Sequence, residues 1–197
     1  FPRRLPPVWL RLPPLGCLNV HPSLLSLGRG PEPVFWTLRR GERRSGATIH
    51  RMTERFDAGP ILTQTAIAVP PGIRAPDLER ELMTLGGQAL VAALPALATG
   101  AIDFRPQDET LATDAPVPSP ADWLMPTTLP AGWAFNFARG VAPLGGPLAV
   151  RGASLGVLPV RDALAHNPTE RLASPIVVRG DGIVRVRFAP GWVEFQI

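Results

Sequence analysis

The sequence predicts an α/β domain followed by a small antiparallel, OB-like β-barrel, and three observations carry that prediction. Short apolar runs at 16–21, 47–52 and 61–69 read as strands, and helical patterns stand between and after them. A segment rich in Pro, Thr, Asp and Ala follows. Beyond it come short β-like pieces separated by Gly and Pro, the pattern of a small all-β unit. The boundaries are residues 1–104 for the first domain, 105–120 for a linker and 121–197 for the second.

Taken in order, Pro6-Pro7-Val8-Trp9-Leu10 reads as a helical turn whose first φ angles are fixed by proline. Gly16 to His21 reads as a buried strand closed by Pro22, with its polar residues at the C-terminal end, where open α/β sheets place their sites. Val34 to Arg40 is a helix ended by Gly41. Ala47 to Met52 and Ile61 to Val69 alternate as two further strands, joined by a loop containing Asp57-Ala58-Gly59-Pro60. From Asp77 to Leu94, Leu78, Leu82, Leu85, Ala89, Leu90, Ala93 and Leu94 recur at helical spacing, and Pro95 is expected to break the helix. Gly86 and Gly87 either weaken it or permit close contact. The second domain begins with a short helix around Trp133 to Arg139. Strands follow at 148–150, 155–160, 176–178, 183–188 and 192–197.

The 197 residues are 45% hydrophobic, enough to build a core, so wholesale disorder is excluded. Pro, Gly or Arg interrupts every apolar run before it reaches the ~20 residues a bilayer crossing needs, and the opening Phe-Pro-Arg-Arg-Leu-Pro-Pro lacks the apolar core of a secretory signal. A cytoplasmic protein without membrane or DNA partners is expected. The single cysteine, Cys17, permits no internal disulfide and reads as a small buried hydrophobe. All twenty basic side chains are Arg, which raises the pI to about 11.0 although the net charge is only +4. Arg suits phosphate, but biased codon usage gives the same composition.

Asn19, His21 and Asp57 are the candidate site residues. Two positions apart on a strand, Asn19 and His21 point to one face. Asp57, in a Gly-Pro loop after the following strand, could set a carboxylate against the imidazole, favouring its charged form and fixing its orientation. An amide beside an imidazole suits an oxyanion, and so acyl transfer through a tetrahedral intermediate. The bland alternative is a capped strand end and a turn aspartate.

At these residues a resemblance becomes specific. Gly16-Cys17-Leu18-Asn19-Val20-His21-Pro22-Ser23-Leu24-Leu25, then Arg29-Gly30 and Pro33, Gly46-Ala47-Thr48-Ile49 and Asp57-Ala58-Gly59-Pro60-Ile61-Leu62 resemble the signature of the folate-dependent formyltransferases, most of all those acting on methionyl-tRNA. Gln107-Asp108-Glu109 with Ala112-Thr113, then Ala121-Asp122-Trp123, is similar to the linker leading to their C-terminal barrel, where tRNA is gripped. The resemblance implies the C-terminal part of a Rossmann-like formyltransferase sheet, with Asn19, His21 and Asp57 catalytic. It further implies N10-formyltetrahydrofolate as co-substrate, no metal, and initiator methionyl-tRNA as partner. Asn19 and a protonated His21 would stabilise the oxyanion, while Asp57 holds His21 and assists proton movement. Ser26 stands where the family usually has Pro. By resemblance, roughly ninety further residues carrying the first strands would precede this chain, and without them the strand at Cys17 is expected to be an edge and the folate pocket incomplete.

Formylation of a nucleotide-linked amino sugar, hydrolysis of the formyl folate, and an inactive remnant remain open beside formylation of methionyl-tRNA. A serine hydrolase is excluded, since Ser23 follows Pro22 in a loop without a nucleophile elbow. Three scattered histidines and one cysteine give no metal-ligand spacing. His50 reads as a packed or hydrogen-bonded strand residue, His166 as a surface-loop residue, and the five tryptophans as packing anchors. Arg139, Arg151, Arg161, Arg179, Arg185 and Arg187 could form a phosphate-facing surface, although a solvated face is the commoner arrangement.

Overall fold

A computed structural model describes residues 5–197; the opening Phe1 to Arg4, read above for signal character, lies outside them. The chain forms two compact units. The first comprises the described residues up to Thr37 with Glu42–Val69 and Asp77–Val117, and the second comprises Leu38–Gly41, Pro70–Pro76 and Pro118–Ile197.

In the first unit, α1 (Pro7–Arg11) opens on a proline at the first helical position, where a missing N–H costs nothing. Strands β1 (Leu18–His21), β2 (Arg44–Arg51) and β3 (Ile61–Ala68) form a sheet in the order β1-β2-β3, and both pairings are antiparallel. The helix α2 (Pro33–Arg40) lies between β1 and β2 in the chain. The expectation of a buried strand is corrected in one respect: β1 is only half-buried along most of its length. Among the described residues it pairs with β2 alone, the edge position expected of it.

The two faces of this sheet are divided by residue parity. Ala47 and Ile49 on β2 face a core containing Leu62, Ala93 and Leu97, with Leu18 and Val20 of β1 packed against it. That core is closed by α3 (Ala75–Ala98), whose Gly86 approaches so closely that an added Cβ would overlap the Val20 side chain and lie 3.1 Å from the Ala47 Cβ. Close contact, not weakness, is what this glycine provides. Thr48 and His50 project to the opposite face and are also buried. Thr48 Oγ1 accepts from the Leu25 N–H and the Gln64 side chain and donates to the Ser23 carbonyl, fastening the loop after β1 over that face.

Pro95 does not break α3. The carbonyl that its missing N–H would have served belongs to Val91, which is 69% exposed, so water can take that bond, and the helix continues to Ala98. The uninterrupted helix has 24 residues and a mean hydropathy of 1.3 in its most apolar window, enough by length and composition to cross a membrane. This corrects the reading that every apolar run is cut short. Leu78, Leu82, Ala93 and Leu97 are buried against the sheet, while 22% of the helix's most apolar window is buried in all.

The second unit contains α4 (Ala131–Val141), whose Ala131, Ala134, Phe137, Ala138 and Val141 recur at helical spacing and are all buried. Around it, β4 (Leu124–Pro126), β5 (Ala149–Gly152) and β6 (Gly156–Pro159) form one sheet. β7 (Asp162–Asn167), β8 (Ile176–Gly180), β9 (Ile183–Arg187) and β10 (Trp192–Gln196) form another in the order β7-β10-β9-β8. The expected closed antiparallel barrel is therefore corrected to two open sheets, one of which contains the parallel pair β4 and β5. The parallel pair arises where α4 and the turn after it separate β4 from β5 in the chain, so both strands run the same way. His166, expected in a loop, lies in β7 and stacks on Phe135 with ring centroids 4.3 Å apart.

Candidate active site

The site lies on the sheet face opposite α3. Antiparallel register places Asn19 directly across from His50 and His21 across from Thr48, so Asn19, His21 and His50 share one face. The loop between β2 and β3 carries Asp57 to the same place. There Asp57 adopts a left-handed conformation, φ 48°, uncommon for a residue with a side chain although Asp tolerates it better than most. The turn closes tightly, since a Cβ on Gly59 would overlap the Arg51 carbonyl oxygen.

All three sequence-predicted residues come together. Asp57 Oδ1 lies 3.8 Å from His21 Nδ1 and 3.5 Å from both His50 Nε2 and the Asn19 amide nitrogen, while Asp57 Oδ2 accepts the Gly30 N–H at 2.9 Å. Gly30 has φ +119°, and a Cβ there would stand 2.8 Å from the Ala115 carbonyl oxygen, so only glycine fits. His21 Nε2 is 2.8 Å from the Gly28 carbonyl, which can only accept; Nε2 therefore carries a proton and the neutral ring has its lone pair on Nδ1, towards Asp57. His50 Nδ1 donates to the Arg51 carbonyl at 3.1 Å by the same logic, and its Nε2, 3.3 Å from Asn19 Nδ2 and 3.5 Å from Asp57 Oδ1, accepts from the amide when the ring is neutral and donates to the carboxylate when it is protonated.

His50 was legible as a hydrogen-bonded histidine, but its place beside Asp57 was not, because strand register cannot be read from spacing. Arg29-Gly30 stood in the family signature, but the part the 28–30 loop plays was not legible, because it acts through the backbone C=O of Gly28 and N–H of Gly30, which leave no residue-type signal.

The electrostatics are those of a carboxylate shared by two imidazoles. Burial pulls His21 below its ordinary value, and Asp57 and the Gly28 carbonyl oppose this only in part. Burial by itself would raise Asp57, but the His50 contact, His21 and the Gly30 N–H outweigh it and hold the carboxyl below the usual range. The resting site is a neutral His21 beside a charged Asp57, a pair poised to take up one proton. Asn19 brings an amide with N–H donors to the same point. Such a set can polarise a carbonyl and carry a proton between heteroatoms. Among the described residues no cluster of three His, Cys, Asp or Glu side chains could hold a metal ion.

Residues 1–94 match the family described as formyl transferase. The chain is 37% identical over 183 residues to methionyl-tRNA formyltransferase of Roseiflexus sp. (strain RS-1), an alignment covering 89% of this chain and 56% of that protein. It is 40% identical over 172 residues to the enzyme of the same name from Chloroflexus aggregans, covering 87% of this chain and 54% of the relative. The chain thus spans just over half the length of these relatives. Among solved structures, an N-formyltransferase from Helicobacter canadensis, in complex with folinic acid and dTDP-3-aminofucose, superposes with a TM-score of 0.73 at 13% identity, over 91% of this chain and 65% of that one. HypX from Aquifex aeolicus, in complex with tetrahydrofolic acid, superposes with a TM-score of 0.65 at 19% identity, over 90% of this chain and 31% of the other. At these identities the structural likeness speaks for the fold.

Proposed function

The chain belongs to the formyl transferase family, and from that premise we propose that it takes part in formyl transfer from N10-formyltetrahydrofolate to an amine, the methionyl amine of initiator tRNA. The observation that carries this reading is the convergence of Asn19, His21 and Asp57 on one sheet face, in the residue types the chemistry needs. The amine nitrogen attacks the formyl carbon, a tetrahedral intermediate forms, and the bond from that carbon to N10 of the folate breaks. The attacking amine loses a proton and N10 gains one.

In this scheme the Asn19 amide donates to the developing oxyanion. His21, neutral at rest, gains a proton as negative charge appears nearby, and Asp57 stabilises the resulting imidazolium. At rest both His21 nitrogens face protein groups, Gly28 on one side and Asp57 on the other, so a ring that contacts the reacting oxygen must loosen one of them. Because Asp57 stabilises the imidazolium, the contact given up in this scheme is the one to the Gly28 carbonyl.

The sequence relatives favour methionyl-tRNA as acceptor, while the Helicobacter structure was solved with an amino sugar nucleotide. Incubating the chain with formyl-labelled N10-formyltetrahydrofolate and, in separate reactions, methionyl initiator tRNA, a thymidine-diphosphate amino sugar, or water alone tests the acceptor. Label in the tRNA supports the proposal. Label in the sugar, or release as free formate at the same rate without acceptor, rejects it.

A further inference from the structure

Asp57 holds an uncommon backbone conformation, φ 48°, and something must fix it. The Gln107 side chain does so from the segment after α3. Its Nε2 donates one hydrogen to the Asp57 carbonyl at 2.6 Å and the other to the Gly59 carbonyl at 2.8 Å, bridging the turn. Its Oε1 accepts from the Nε and Nη2 of Arg29 at 3.0 and 2.7 Å. Arg29 is buried, and its remaining N–H groups reach the Glu109 carboxylate at 3.1 and 2.8 Å. The Arg29 contact, assisted by Arg55, holds the Glu109 carboxyl down to about 2.

The same segment grips the other wall of the site. Arg29 donates its N–H to the Thr113 carbonyl at 2.8 Å and accepts from the Ala115 N–H at 2.6 Å, and the Gly28 N–H reaches the Thr113 hydroxyl at 2.9 Å. Gly28 and Gly30 are the residues that hold His21 and Asp57. Only a primary amide can do what Gln107 does here, because the turn offers two carbonyls to one nitrogen while Arg29 demands an acceptor on the other arm.

We propose that Gln107, braced by Arg29, is a positioning residue for the reaction: it holds the Asp57 turn so that the carboxylate faces His21. This rests on the roles proposed above for Asp57 and His21. A polar cluster that merely stabilises the fold would leave the chemistry of His21 unchanged when the bridge is cut.

The test follows the two site histidines by NMR of their ring nitrogens as pH is varied, in the 197-residue chain and in its Gln107→Met, Gln107→Asn and Asp57→Asn variants. Met keeps the length of Gln without charge or donors, and Asn keeps the amide but falls short of the turn, so a folded variant is available if one fails. His21 is faced by Asp57, His50 and the Gly28 carbonyl; of these, the Asp57 carboxylate supports the charged ring most. Asp57→Asn is expected to lower the His21 midpoint by about half a unit or more, and a folded Gln107 variant to move it in the same direction. Turnover should show kcat down about tenfold with KM for the folate little changed. An unchanged His21 midpoint in a folded Gln107 variant, or no response to Asp57→Asn, overturns the proposal. The NMR readout needs no turnover, so loss of the formyl-transfer reading and loss of the positioning role are told apart.

Discussion

His21 is 4% exposed and lies against a carboxylate, and its behaviour with pH follows from which of those wins. Burial wins, so its folded value lies below the ordinary 6.5. Between 6.5 and that lower value the unfolded chain binds the proton first. The contribution of His21 to stability is therefore complete above about pH 6.5 and is lost as pH falls through the window below it. Asp57 behaves similarly lower on the scale: its contribution is present above 3.8 and is lost as pH falls through its depressed folded value. Denaturant unfolding at pH 7.5 and 5.5 is expected to show lower stability at 5.5, with part of the slope removed by His21→Asn. His166, also lowered by burial, supplies another part. Asp57→Asn keeps a residue that tolerates the left-handed turn, so it is expected to fold, while formyl transfer falls by about a hundredfold or more. Steady-state kinetics beside a thermal melt checks both halves of that statement.

At the scale of elements, the packing of α3 on the sheet depends on one missing side chain. Gly86→Leu forces a side chain into the space held by Val20 and Ala47 and is expected to cost about 1–3 kcal/mol or more, measured by denaturant unfolding. Pro95→Ala should act in the opposite sense, stabilising by about 1 kcal/mol, because it restores a helical N–H on an exposed turn without disturbing the buried face. These two positions mark where sequence reading works and where it stops. The apolar spacing of Leu78, Leu82 and Ala93 announced the helix and its buried side, and alternation around Ala47–Ile49 announced β2. Pro95 misled because its cost depends on whether the orphaned carbonyl can reach water, which is a property of the fold. Asn19, His21 and Asp57 were visible through their residue types and motifs. His50 and Gln107 were not, since their importance arises from register and from a segment that returns to the site after α3. β7 escaped notice as well: its Asp162, His166 and Asn167 carry little strand signal, and pairing with β10 overrides it.

For the whole molecule, charge bears on the proposed partner. Of the six arginines considered for a phosphate-facing surface, Arg185 pairs with Glu194 at 2.8 Å and Arg187 donates to the Leu172 and Ala173 carbonyls, so both are engaged within the unit. Arg151, Arg161 and Arg179 are exposed. Binding of methionyl initiator tRNA through such side chains is expected to weaken steeply as salt rises, and Arg179→Ala to lower the slope of log affinity against log salt by about one contact, measurable by fluorescence titration. The expectation of an edge strand concerns the site as well, since among the described residues β1 pairs on one side only while carrying two of the three site residues. Formyl transfer dependent on Asn19, His21 and Asp57 is the claim on which the rest stands. It is tested most directly by measuring tetrahydrofolate release from N10-formyltetrahydrofolate by the 197-residue chain, with and without methionyl initiator tRNA, against His21→Ala. Release that requires the tRNA and disappears in the variant is the expected result; a folded chain that releases none, or a His21→Ala variant that releases as much as the parent, contradicts it.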